Sequence, residues 1–171
     1  MGKKNAISAI HAVDRMLKED VFYPAHDARK ESSAYAKAHK HLVKQLDLPC
    51  LICGVRNSTL PDLTQNLVGA RAMETHHHVV EWALQNAIDL EKFNERIWPA
   101  LKHKHAGKYE EPFTQQAMLD FIDHSEDNLW VLCDIHYRHS LLGIHSITAP
   151  IWGAQDLIQT GFTYIPSKEA L

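Results

Sequence analysis

Two ligand pairs of identical spacing, far apart in the chain, constrain this sequence more than anything else in it. The first is Cys50-Leu51-Ile52-Cys53-Gly54, two thiols on what reads as a tight turn, with a glycine able to take the left-handed backbone that points both sulfurs at one ion. The second is Cys133-Asp134-Ile135-His136, the same two-residue gap with histidine as second donor. Together they make a Cys₃His set, a common ligand set of structural zinc. The chain has three cysteines and this set uses all of them. The bland alternative is three buried thiols without a metal, since free cysteine is often a small core residue. Four protein ligands leave no open coordination position, so the zinc expected here is structural. It would clamp the segment before residue 54 to the segment after residue 132, with a binding free energy, equal to folding free energy, on the order of 10 kcal/mol.

Composition narrows the setting. An odd cysteine count argues against a disulfide framework. At 171 residues, with 45% hydrophobic and 23% charged side chains, the chain suits one soluble globular domain, or one domain with appended helices. No apolar run reaches about 18 residues, so no membrane partner is expected. The basic start Met1-Gly2-Lys3-Lys4 lacks the apolar stretch of a secretory signal, which implies the cytoplasm. Net charge is −3, yet residues 1–57 hold ten Lys/Arg against six Asp/Glu, and the remainder eight against fifteen. The basic arm with Arg29, Lys30, Lys37, Lys40 and Lys44 is a candidate phosphate-facing surface, against the plainer alternative of a solvated helix face.

Apolar spacing predicts a helix over 6–18, and another from the caps Ser32 and Ser33 through Leu46, with Tyr35, Leu42 and Leu46 on one side. Residues 55–80 read as a hairpin, with extended pieces at Leu67-Val68 and Thr75–Val80. A helix is expected from Trp82 to Trp98, stopped by Pro99, then a polar connector from Lys102 to Gly107. Thr114 can cap a helix through Ile122. An apolar run, Leu129–Leu132, precedes a helix start at Cys133, and a last short helix is expected from Pro150.

Between the two ligand pairs lies Glu74-Thr75-His76-His77-His78-Val79-Val80-Glu81, and later Ser125-Glu126-Asp127-Asn128-Leu129-Trp130-Val131-Leu132-Cys133. Thirteen histidines is a high count for this length, and histidine is the side chain best suited to metal ligation and proton transfer near neutral pH. The bland account of the triplet is a polar strand edge, and of Asn128 alone an Asx turn. The order of these pieces, over roughly residues 27–152, resembles the HNH nuclease family in its zinc-knuckle, phage and bacterial form.

That resemblance implies an α+β fold: a ββα-metal HNH core stapled by the Cys₃His site, with additional helices. It implies an N-terminal helical arm over 1–48, a nuclease domain over 49–152 with a helical insertion at 82–124, and a C-terminal helix and tail over 153–171. It implies that the first histidine of a pair binds a catalytic divalent cation (Mg²⁺, Mn²⁺ or Ni²⁺) and the second is the general base. These fall on His76 and His77, with His77 and His78 as the alternative register. Asn128 would hold the loop positioning the base through a bond to backbone. Glu74, sharing a strand face with His76, could touch the metal. The chain departs from many relatives in carrying Tyr137, not histidine, after the last zinc ligand. The helix-side metal ligand then falls to His145, or to His139. DNA is the implied substrate and phosphodiester hydrolysis the implied reaction. The alternative is a zinc-containing nucleic-acid-binding or interaction module without catalysis, for which Tyr137 and the acidic C-terminal half speak.

Overall fold

Met73-Glu74-Thr75-His76-His77 is too polar to look like a buried strand, yet it forms β1 (Met73–His77) and four of its five residues are buried. The computed structural model describes residues 31–139, 142–146 and 157. The partner of β1 is β2 (Leu129–Cys133), paired antiparallel with His77 opposite Leu129 and Met73 opposite Cys133. The expected hairpin within 55–80 is therefore replaced by a long-range pairing. Residues 66–72 turn back without extending, and Leu67 is 83% exposed.

Both faces of this small sheet are covered, which explains how a polar strand comes to be buried. On one side lies α1 (Ser33–Lys40), started by Ser32, whose hydroxyl accepts from the Tyr35 N–H at 2.9 Å. Tyr35 reaches β1, its hydroxyl 3.0 Å from the Thr75 carbonyl and 2.8 Å from Oγ1. The helix widens into a π turn over His41–Gln45, and Leu46, expected on the buried side, is 49% exposed. On the other side, β2 runs directly into α5 (Asp134–Arg138), whose first N–H donates to the Ala72 carbonyl at 3.0 Å. The described core thus has the order strand, strand, helix.

The residues between β1 and β2 form a helical insertion with a core of its own. The expected helix over 82–98 is split: a 3₁₀ stretch over Trp82–Ala87, then α2 (Leu90–Arg96). Pro99 does not stop a helix but sits in the first turn of α3 (Trp98–Lys104), where a missing N–H costs nothing. The first half of the expected connector, Lys102–Lys104, is therefore helical. Thr114 caps α4 (Gln115–His124) as expected. Phe93, Phe113 and Phe121 meet edge to face, with ring centroids 5.1–5.7 Å apart. Asp127 ties this insertion to the turn before β2, accepting from Tyr109 at 2.6 Å and Lys108 at 2.7 Å. Burial works to raise the Asp127 carboxyl, but those two donors outweigh it and hold it below the ordinary value.

No helix among the described residues is long and apolar enough to cross a membrane. The expected helices over 6–18 and after Pro150, and with them Arg29 and Lys30, lie outside the described residues.

Candidate metal centres

The two ligand pairs meet. Sγ of Cys50, Cys53 and Cys133 and a ring nitrogen of His136 all lie within 4.8 Å of one another. Two sulfurs bound to one zinc at about 2.3 Å stand about 3.8 Å apart in a tetrahedron, and a sulfur and an imidazole nitrogen about 3.6 Å. The observed edges are 3.8 Å for Cys53–Cys133, 3.6 Å for Cys50–His136 and 3.2 Å for Cys133–His136. The cluster could therefore hold a metal ion such as zinc.

Local backbone explains the convergence. The Cys50 N–H bonds to the Val55 carbonyl at 2.7 Å and the Gly54 N–H to the Cys50 carbonyl at 2.9 Å, closing the knuckle. Gly54 takes φ +78, where a side chain would be strained. The Leu51 N–H then docks on the Val131 carbonyl at 2.9 Å, so the knuckle is bonded to β2. Burial tends to raise the Cys50 thiol, but backbone N–H groups of Cys53, Cys133 and Ile52 directed at its sulfur bring it below its ordinary value. Burial pushes Cys133 up to about 12, and the neighbouring sulfurs of Cys50 and Cys53 add to that. Packed thiolates of this kind call for a cation, which reverses the balance.

The histidine triplet divides between the two faces of β1. His76 is 5% exposed and turns toward α5, with its ring centroid 4.9 Å from His145 and 5.7 Å from Tyr137. His145 belongs to a 3₁₀ turn (Ile144–Ser146) after α5, is exposed, and lies 4.7 Å from the Tyr137 ring. His77 is 2% exposed on the opposite face, stacked on Tyr35 at 5.5 Å, with Nε2 donating to the Asp123 carbonyl at 3.1 Å. His78 is half-buried and stacks flat on Trp130 at 4.7 Å. Burial holds His78 below the ordinary imidazole value, and the charge on Lys104 acts the same way.

Asn128, fully buried, locks the chain directly after the triplet. Its Oδ1 accepts from the N–H groups of Val79 at 2.8 Å and Val80 at 3.1 Å. Its Nδ2 donates to the carbonyls of Val80 and Ile122, both at 3.0 Å. One side chain thereby joins β1, the insertion and the turn into β2. Asn128→Ala leaves these buried backbone groups unpaired, at about 1 kcal/mol or more each, so a loss of about 3–5 kcal/mol is expected in urea unfolding. A loss below about 1 kcal/mol would mean that Asn128 does not hold the loop.

Other expected site residues are placed differently. Glu74 faces Arg138, 3.3 Å from its guanidinium, and not the imidazoles. His139 sits exposed at the C-terminal end of α5. Lys37 and Lys40 are exposed on α1 and line a groove of about 570 Å³ with His41, His124 and Glu126.

Glu81 was not singled out by its position in the chain. One of its carboxylate oxygens lies 3.7 Å from His76 Nε2 and the other 4.0 Å from His77 Nδ1. Nothing local marks it, because its place follows from the turn that Asn128 fixes. Among the described residues, no second set of three donors converges as tightly as Cys₃His. Comparison with protein-family models, curated proteins and solved structures finds no match for the chain.

Proposed function

We propose that this chain is a metal-dependent endonuclease of the HNH type that hydrolyses phosphodiester bonds in DNA. In this reading Cys50, Cys53, Cys133 and His136 hold zinc permanently, and His76 and His145 hold a second divalent cation such as Mg²⁺, Mn²⁺ or Ni²⁺. One observation carries it. Strand β1 and the turn after α5 bring two imidazoles to 4.9 Å beside a carboxylate, on a strand–strand–helix frame whose ends meet at the Cys₃His cluster.

Phosphodiester hydrolysis needs a proton acceptor for water and charge relief at the phosphate and the departing oxygen. A cation at the two imidazoles supplies that charge relief. The proton acceptor must reach solvent and substrate. His77 is poorly suited, being 2% exposed beneath the Tyr35 ring. His78 leaves the strand on the same side as His76 and is half-buried, directly before the two residues that Asn128 fixes. The proton of the attacking water therefore goes to His78 as the water oxygen bonds phosphorus and the bond to the departing oxygen breaks. Lys37 and Lys40 in the α1 groove supply backbone-phosphate contacts, which position DNA without reading its sequence.

Supercoiled plasmid incubated with zinc-loaded protein should be nicked on addition of Mn²⁺, Mg²⁺ or Ni²⁺. The His78→Ala variant should cut about 100-fold more slowly or worse. Plasmid left intact under every divalent cation, with zinc retained, would support the second function instead, a zinc-containing binding module. That alternative is favoured by Tyr137, whose ring packs against both imidazoles.

A further inference from the structure

We propose that Glu81 is the carboxylate ligand of the second cation, completing with His76 and His145 a set of two imidazoles and one carboxylate. This rests on the cation site proposed above and specifies its ligands and its preferred ions.

Two neutral imidazoles alone leave a hard divalent ion with neither charge compensation nor the oxygen donors that Mg²⁺ and Mn²⁺ prefer. Of the two carboxylates that flank the triplet in sequence, Glu74 and Glu81, only one is well placed. Glu74 is engaged by Arg138 on the far part of the strand. Glu81 directs Oε2 at His76 Nε2, at 3.7 Å. Two ligands each at about 2.1 Å from one ion stand about 3.0 Å apart at a right angle and about 4.2 Å apart when opposite. The Glu81–His76 separation of 3.7 Å lies between those two values, so a side-chain shift of about 0.5–0.7 Å brings the pair to either octahedral arrangement. His145 is exposed with its ring centroid 4.9 Å from that of His76, and its donors do not converge with those of His76 and Glu81 as the Cys₃His donors do, so ion binding requires the His145 side chain to turn inward.

The placement of Glu81 is also rigid. It follows Val79 and Val80, both bonded to Asn128, and its backbone turns directly into the 3₁₀ stretch Trp82–Ala87. Its side chain is 20% exposed, so an ion and its waters can reach it.

The test is a Mn²⁺ titration of the zinc-loaded full chain, followed by electron paramagnetic resonance of the free ion. Mn²⁺ binds thiolates weakly and stands at the low end of the divalent series, so it does not compete for the Cys₃His cluster. Wild type should take up one Mn²⁺ per chain. Glu81→Gln keeps the shape of the side chain and should weaken that uptake tenfold or more, with zinc content and melting temperature unchanged. Glu81→Asp, which keeps the charge on a shorter arm, should bind between the two. Glu81→Gln binding Mn²⁺ as tightly as wild type would overturn the assignment. If His145→Ala had then lost the ion, the cation site would stand without Glu81. Wild type binding no Mn²⁺ at millimolar concentration would overturn both the assignment and the cation site.

Discussion

Cys53→Ser is expected to lose its zinc and, with it, the folded core around β1 and β2. The cluster joins the knuckle, the end of β2 and the start of α5, and the core packed with it is small, twelve buried residues among the described ones, two of them the ligands Cys50 and Cys133. A two-stranded sheet is marginal by itself in water. Zinc binding at such a set is worth on the order of 10 kcal/mol at neutral pH, comparable to the whole stability of an ordinary domain. A serine oxygen replaces one thiolate poorly, and the remaining buried thiols lose the ion that offsets their charge. The variant should show no bound zinc and no cooperative melt of the sheet region. Leu51→Ser on the same knuckle changes a side chain that is 56% exposed, and should melt like wild type. Strong chelators should reproduce the Cys53→Ser effect. Because thiols give up their protons on binding, zinc affinity should rise with pH. A Cys53→Ser protein that melts at the wild-type temperature would show that the cluster does not hold the fold together.

The second large effect is expected at His145. Its side chain is exposed, so removing it creates no cavity and should leave zinc content and melting temperature unchanged. It contacts the His76 ring from across the site, and a divalent cation held by one imidazole fewer is both weaker and less well oriented. Plasmid cleavage by His145→Ala should therefore fall about 100-fold or more, with higher concentrations of Mn²⁺ restoring part of it. His139→Ala, on an exposed residue at the end of α5, should cut at close to the wild-type rate. If His139→Ala were inactive and His145→Ala active, the helix-side ligand would have to be reassigned.

How far residues alone revealed this arrangement depends on how local each signal is. The Cys₃His cluster was legible because two short-range pairs of the right spacing use up every cysteine. The caps Ser32 and Thr114 were legible for the same reason, as a hydroxyl reaching back to an N–H two or three residues on is a local event. For Asn128 the expectation was a bond to backbone, and its side chain makes four of them.

Long-range features were not legible. β1 carries no alternation to mark it, because α1 covers one face and α5 the other, and because Thr75 and His77 find polar partners in Tyr35 and Asp123. Its pairing with β2 across the whole insertion could not be seen in a window of ten residues. Pro99 reads equally well as a stop or a start, and only its neighbours make it a start. The different surroundings of His76, His77 and His78 follow from which face each one meets, and the meeting faces are supplied by residues far away in the chain. Glu81 is invisible for the same reason.

At the centre of this account is a frame closed by one ion that presents imidazoles to another. Crystals of the zinc-loaded chain, soaked in Mn²⁺ and measured on both sides of the zinc and manganese absorption edges, would locate the two directly. The expected map has a zinc peak among Cys50, Cys53, Cys133 and His136, and a separate manganese peak within bonding distance of His76, His145 and Glu81. A zinc peak with no manganese near His76, or zinc absent from the four-ligand cluster, would contradict it.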